Sequence, residues 1–247
     1  MQAVQVSSSI ISTTYLSAFL KDKYQLAPNS KCKLLKAGIN HTYLLNINEQ
    51  KSIFRIYSYN WRTAHEIREE LRLLMLLKDE GLSIAYPIAD TNGNYIQEID
   101  APEGKRYGVL FSYASGKKLS LYSAAQHYHV GVLMAKMHQV MEGLKLDRVD
   151  YTVDILMINA LNKIKPYIDQ DSEEFQFLAQ TQTQLVEAFQ KLPRETMRYG
   201  AVHMDIWFDN LNITKEGAIT IFDFDFCGNG FLAMDIAWAQ LRFVPKI

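Results

Sequence analysis

The chain is poor in the residues that staple, punctuate or anchor a small fold. Only two cysteines occur in 247 residues, Cys32 and Cys227, too far apart for a disulfide scaffold or a metal-ligand pair. Both read as reduced and structural. No apolar run approaches the roughly 18 residues that cross a bilayer, and MQAVQVSSSIISTTYLSAFL at the start has neither a basic segment nor a continuous apolar one. A cytoplasmic protein without a membrane anchor is expected. Charge of neither sign dominates: 26 Lys and Arg stand against 27 Asp and Glu. A net charge of −1 provides no general field for nucleic acid or an anionic membrane, so any anionic ligand must be held by local groups. Internal repeats and low-complexity runs are absent too. What is plentiful is core material, 48% hydrophobic residues, enough for one large domain or a two-lobed unit.

Periodicity divides the chain in two. Ser12 to Leu26 has helical spacing and ends before Pro28-Asn29. KCKLLKAGINHTYLLNINEQKSIFRIYSY follows as two or three strands, with turns at Gly38-Ile39-Asn40 and Asn48-Glu49-Gln50. In the alternating strand Ser52 to Tyr57, Arg55 is a cation among apolar residues and requires an anionic partner. A helix from about Arg62 to Glu80 carries the stripe Ile67, Leu71, Leu74, Leu77 and stops at Gly81; its Glu66, Glu69 and Glu70 are candidate partners. ADTNGNYIQEID reads as a hairpin around Asn92-Gly93, and Tyr107 to Ala114 as a buried strand. Ser115-Gly116-Lys117-Lys118 loosens the chain, which places a lobe boundary between residues 1–114 and 115–247. The second lobe is helical, with segments Ser123 to Met141, Tyr151 to Ile168 and Ser172 to Lys191. His127, His129 and His138 share the first of these without a zinc-ligand spacing.

The stretch from Tyr199 to Ala237 carries the chemistry. His203-Met204-Asp205, four residues and Asn210 form HxDxxxxN, in which a carboxylate orients an attacking hydroxyl and an amide oxygen holds metal. LNIT, a Lys-Glu-Gly turn and AITIFDF then read as a β-hairpin that returns Asp223-Phe224-Asp225 beside Asp205. Two distant carboxylates reach one ion only by such a return.

With Ile221-Phe222-Asp223-Phe224-Asp225, Gly228-Asn229-Gly230 and Asp235-Ile236-Ala237, this pattern resembles the aminoglycoside phosphotransferase and choline kinase family. That family is a branch of the kinase-like superfamily, with homoserine kinases and a stress-response Ser/Thr kinase group as relatives. The resemblance implies an α+β, bilobal protein-kinase-like fold: an antiparallel N-terminal sheet with one helix, and a mainly helical C-terminal lobe. It implies ATP and Mg²⁺ as cofactors and a small hydroxyl-bearing molecule as the partner. Asp205 would be the base, with His203 beside it in the catalytic set. Asn210 and Asp223 would hold metal, Arg55 would clamp phosphates against Glu70, and Ser112, Tyr113 and Ala114 would meet adenine. Asp235 would brace the loop with His203, His138 would be a packing residue, and Trp207 and Asp225 would border the acceptor pocket. The Gly38 to Thr42 turn would cover the nucleotide.

Two departures from protein kinases favour a small acceptor. Trp207 stands where those enzymes carry a lysine, and no APE motif or room for an activation segment follows Asp223. The alternatives are a stress-response-type protein Ser/Thr kinase and a non-catalytic nucleotide-binding scaffold. Family members continue with further helices beyond the point matching Ile247, so a minimal or shortened chain is expected. The oligomeric state is left open.

Overall fold

The computed structural model describes residues 5–47 and 50–243. The expected turn at Asn48-Glu49 lies outside these residues. The first helix, α1 (Thr13–Tyr24), precedes strands β1 (Lys31–Ala37), β2 (His41–Ile47) and β3 (Gln50–Ile56). Helix α2 (Ala64–Asp79) follows, then β4 (Pro87–Ile88), β5 (Ile96–Ala101) and β6 (Gly104–Ser112). The remainder comprises α3 (Ala124–Met141), α4 (Asn159–Ile164), α5 (Glu173–Gln190), β7 (Tyr199–Val202), β8 (Leu211–Ile213), β9 (Ile219–Ile221), β10 (Gly228–Phe231) and α6 (Ala233–Phe243). The fold is α+β, with an antiparallel sheet ordered β1-β2-β3-β6-β4 in the first half.

Helix α2 begins where Thr63 and Glu66 satisfy each other's backbone N–H groups, a capping box worth about 1 kcal/mol. Its stripe Ile67, Leu71, Leu74 and Leu77 is buried. Helix α1 sets Leu16 and Leu20, both fully buried, against Tyr43, Leu45, Phe54 and Leu110 of the sheet. A larger core joins α2 and Phe111 to Met134, Met137, Ile206, Leu211, Ile221 and Phe224, so the two halves share apolar contacts. Ser83 and Ala85 add backbone bonds to Ile221. The boundary expected after Ala114 falls in the connection from β6 to α3.

Two expectations change. Asn92-Gly93 does turn the chain, with Gly93 at φ +83°, but β4 and β5 do not pair with each other. They lie end to end along one edge of β6, and the true hairpin is β5–β6 through Pro102-Glu103. The segment from Tyr151 to Ile168 is not one helix: a π-turn at Asp154–Ile158 leads into α4, and a 3₁₀ turn holding Pro166 ends it. The hairpin between Asn210 and Asp223 is present as β8–β9, pairing Leu211 with Ile221 and Ile213 with Ile219. Among the described residues no helix is long and apolar enough to cross a membrane.

Candidate active site

Strand β7 delivers the loop that starts at His203, and α6 holds it. Asp235, fully buried at the start of α6, accepts hydrogen bonds from His203 N (3.0 Å), Met204 N (2.7 Å) and His138 Nε2 (3.1 Å). These bonds hold Met204 at φ +63°, a left-handed conformation that costs an L-residue about 1–2 kcal/mol. His203 Nδ1 accepts from the Asp205 N–H at 3.1 Å, and the imidazole packs on Phe224 with ring centres 4.3 Å apart. The ring is fully buried, and its contacts tie the loop to Phe224 and to the Asp205 backbone.

Asp205 itself is partly exposed. Its carboxylate accepts from Asn210 Nδ2 at 2.7 Å, and the same amide donates to the Asp205 carbonyl at 3.0 Å. Burial pushes the Asp205 carboxyl above the usual aspartate value; His203 and the Asn210 bond oppose that rise, while Asp223 adds to it. Because Asn210 spends its NH₂ on Asp205, its amide oxygen remains available as a metal-type donor.

Hairpin β8–β9 returns Asp223 to the same place, at φ +68°, a region Asp tolerates better than most residues. Asp223 Oδ1 accepts from Arg55 Nη1 at 2.9 Å, and the carboxylate side chain is 45% exposed. Arg55 in turn is buried and pairs with Glu70 of α2 and with the Tyr57 hydroxyl. Burial alone would lower the Arg55 guanidinium, but Glu70, Tyr57 and Asp223 outweigh it and hold the group well above its usual value. The three glutamates of α2 have separate tasks: Glu66 caps the helix, Glu69 accepts from the Asp147 N–H at 2.8 Å, and Glu70 meets Arg55. Sequence patterning missed Arg148, whose Nη1 lies 3.6 Å from Glu70 Oε2 and bonds the Glu66 carbonyl at 3.2 Å.

One cavity of about 630 Å³ collects most of the expected residues. Ser112, Tyr113 and Ala114 line one part of it, and Arg55, Glu70, Asn210 and Asp223 another. Asn212 Nδ2 donates to the Ala114 carbonyl at 2.6 Å and fixes the connection between lobes. Lys36, Lys117, Lys118 and Asp209 also contribute to the wall. Asp209 accepts from Lys118 at 2.8 Å and lies 3.9 Å from Lys36, across the cleft. The adjacent lysines after Gly116 were the available signal for this cationic rim.

Asp205 is not part of that wall but abuts it through Asn210. Trp207 is partly exposed, packed edge-on against Phe208 at 4.8 Å, and also lies outside the wall. Asp225, expected at an acceptor pocket, is not among the residues that line this cavity. Its carboxylate is 2% exposed and accepts from Asn40 Nδ2 (2.9 Å), Trp61 Nε1 (2.7 Å) and Arg62 Nε (3.0 Å). Burial would raise its pKa, but Arg55 and Arg62 with the Trp61 and Arg62 bonds bring it below the ordinary aspartate value. The carboxylate is thus engaged by the protein's own donors.

The residues fit a magnesium ion. Asp223 offers an exposed hard carboxylate and Asn210 an amide oxygen, and Mg²⁺ is typically held by one or two such groups together with substrate phosphates. A cage of three or more His, Cys, Asp or Glu is absent among the described residues.

Comparison with known proteins places this geometry in a family. Residues 31–246 match the APH model, described as the phosphotransferase enzyme family. An uncharacterized protein of Synechocystis is 32% identical over 217 residues, covering 87% of this chain and 60% of that protein. Amicoumacin kinase of Bacillus subtilis is 25% identical over 208 residues, covering 83% of this chain and 61% of the kinase. The chain thus spans about three fifths of the length of these two curated relatives. Among solved structures, amicoumacin kinase hAmiN in complex with AMP-PNP, Ca²⁺ and Ami superposes with a TM-score of 0.77 at 20% identity, covering 96% of this chain and 72% of that one. With the fold shared and the family model matched over residues 31–246, the chain belongs to the phosphotransferase enzyme family.

Proposed function

We propose that the protein is an ATP- and Mg²⁺-dependent phosphotransferase that moves the γ-phosphate to a hydroxyl of a small molecule. The observation that carries this reading is the single cavity with Ser112–Ala114 in one part and Arg55, Asp223 and Asn210 in another, with Asp205 held against Asn210. The names of its relatives, amicoumacin kinase among them, support a small acceptor.

In this reading Asp205 receives the acceptor's proton as its oxygen bonds the γ-phosphorus and the β–γ bridging bond breaks to release ADP. Burial that raises the Asp205 carboxyl makes it a better proton acceptor once ionised. Arg55 exchanges its bond to Asp223 for phosphate oxygens, and Glu70 keeps it in place during the exchange. Lys36, Lys117 and Lys118 supply the local positive charge that the whole chain lacks. Magnesium, held by Asp223 and Asn210, would neutralise charge on the phosphates. Acceptors to be tried are homoserine, choline, aminoglycosides and sugar-like alcohols.

The test is transfer of γ-labelled phosphate from Mg²⁺-ATP to these alcohols and to a generic protein, wild type against Asp205→Asn. Labelling of one small alcohol is expected, with kcat lowered by about 10²–10⁴-fold in the variant and nucleotide affinity nearly unchanged. Labelling of protein alone, or an unaltered rate in Asp205→Asn, would overturn the reading.

A further inference from the structure

The β1–β2 hairpin roofs the cavity, since Leu35, Lys36 and Thr42 line it, yet its tip has no apolar anchor: Ile39 is 54% exposed. Polar bonds fix the tip. The Ser58 hydroxyl donates to the Ile39 carbonyl, and the Ser58 N–H donates to Asn40 Oδ1 at 3.3 Å. The third tether is longer in sequence: Asn40 Nδ2 donates to Asp225 Oδ2 at 2.9 Å, joining residues 185 apart. Asp225 stands two positions after Asp223, and its surroundings make it a junction. Trp61 and Arg62, from the connection between β3 and α2, donate to the same carboxylate, and Arg62 and Arg148 both donate to the Asp225 carbonyl.

We infer that Asn40 is a positioning residue, a latch that fixes the roof of the cavity to the loop bearing Asp223 through the buried carboxylate of Asp225. Its kinetic consequence rests on the proposed phosphotransfer. The roof is held down before nucleotide arrives, so the ordering cost of closing it is already met, and loss of the latch appears in KM before kcat. An uncharged acceptor on a charged one would serve poorly; the amide NH₂ of Asn40 is the complement that a buried carboxylate needs.

Two experiments decide it. In the free protein, hydrogen exchange of Asn40→Ala should quicken at amides 38–42, at Ser58, whose N–H loses Asn40 Oδ1, and also at 223–226, with the remaining amides unchanged. Faster exchange at the turn alone would overturn the coupling. In turnover, Asn40→Ala should raise the nucleotide KM on the order of tenfold with a smaller fall in kcat. Asn40→Asp sets a carboxylate against a carboxylate and should be worse than Asn40→Ala. Adding Asp225→Asn to Asn40→Asp removes the like-charge pair, though the introduced NH₂ then also faces the Trp61 N–H, and KM should drop below that of Asn40→Asp alone while staying above the wild type. A merely structural loss would not recover on a second substitution. If the swapped pair fails to fold, the order wild type, Ala, Asp in KM decides, and equal values overturn the latch. An absence of turnover in the wild type counts against the phosphotransferase reading, and the exchange experiment still judges the latch.

Discussion

Asp223 and Asp225 show how two identical side chains two positions apart diverge. Asp223 sits at φ +68° with a half-exposed carboxylate on Arg55, while Asp225 is buried under donors from residues 40, 61 and 62. The motif made both legible as acidic, but the donors that separate them come from far along the chain and leave no local trace. The bracing role expected of Asp235 came from the family resemblance, and its carboxylate does accept from the loop. Replacing it tests that use: Asp235→Asn turns one acceptor into a donor facing backbone N–H groups. It should lower stability by about 2–3 kcal/mol in a denaturant titration and slow turnover, since His203 and Met204 lose their support. Stability equal to wild type would contradict the bracing role.

At the scale of elements, the connection from β6 to α3 depends on a backbone position that sequence alone marks only as a loosened stretch. Gly116 has φ +101°, and a Cβ there would lie 2.3 Å from the Ile213 carbonyl oxygen. The neighbouring Lys117 exchanges two backbone bonds with Ile213, at 3.0 and 2.9 Å, and Asn212 holds Ala114. Gly116→Ala should cost at least about 2 kcal/mol and weaken nucleotide binding measured by calorimetry, because the segment Ser112–Ala114 shifts with it. Unchanged binding would separate that segment from the site. Helix α2 and the β8–β9 hairpin were readable from apolar stripe, turn and alternation. The partner of β5 was not, since Asn92-Gly93 specifies a turn but not which strand the returning chain joins; β6 offered the longer edge. The helix expected from Tyr151 to Ile168 is present as a π-turn, α4 and a 3₁₀ turn in series, a change of pitch of which the apolar spacing carried no sign.

At the scale of the molecule, α2 is fastened to the helical lobe. Arg72 bonds the Lys145 carbonyl at 2.8 Å, Glu69 accepts from Asp147 N, and Arg148 reaches both Glu66 and Glu70. None of this was visible in sequence, where glutamates on an amphipathic helix read as a solvated face; only the pairing of Arg55 with Glu70 was proposed. The Arg72 hydrogen bond first, and then the Asp147 N–H against a modest burial penalty, depress the Glu69 carboxyl to about 2. A depressed acid contributes stability above its ordinary value near 4.5 and loses it as pH falls toward 2. Stability of the wild type, followed by denaturation between about pH 5 and about pH 2, should therefore fall more steeply than that of Glu69→Gln. Parallel curves would remove Glu69 from the clamp. The clamp also bears on how such a molecule can be inhibited. A compound that gains affinity by levering α2 outward would have to break several separate polar contacts, two of them to Arg148. Selective ligands are better built outward from the cavity to its lysine rim, where an anionic substituent meets Lys36 and Lys118 without moving the scaffold.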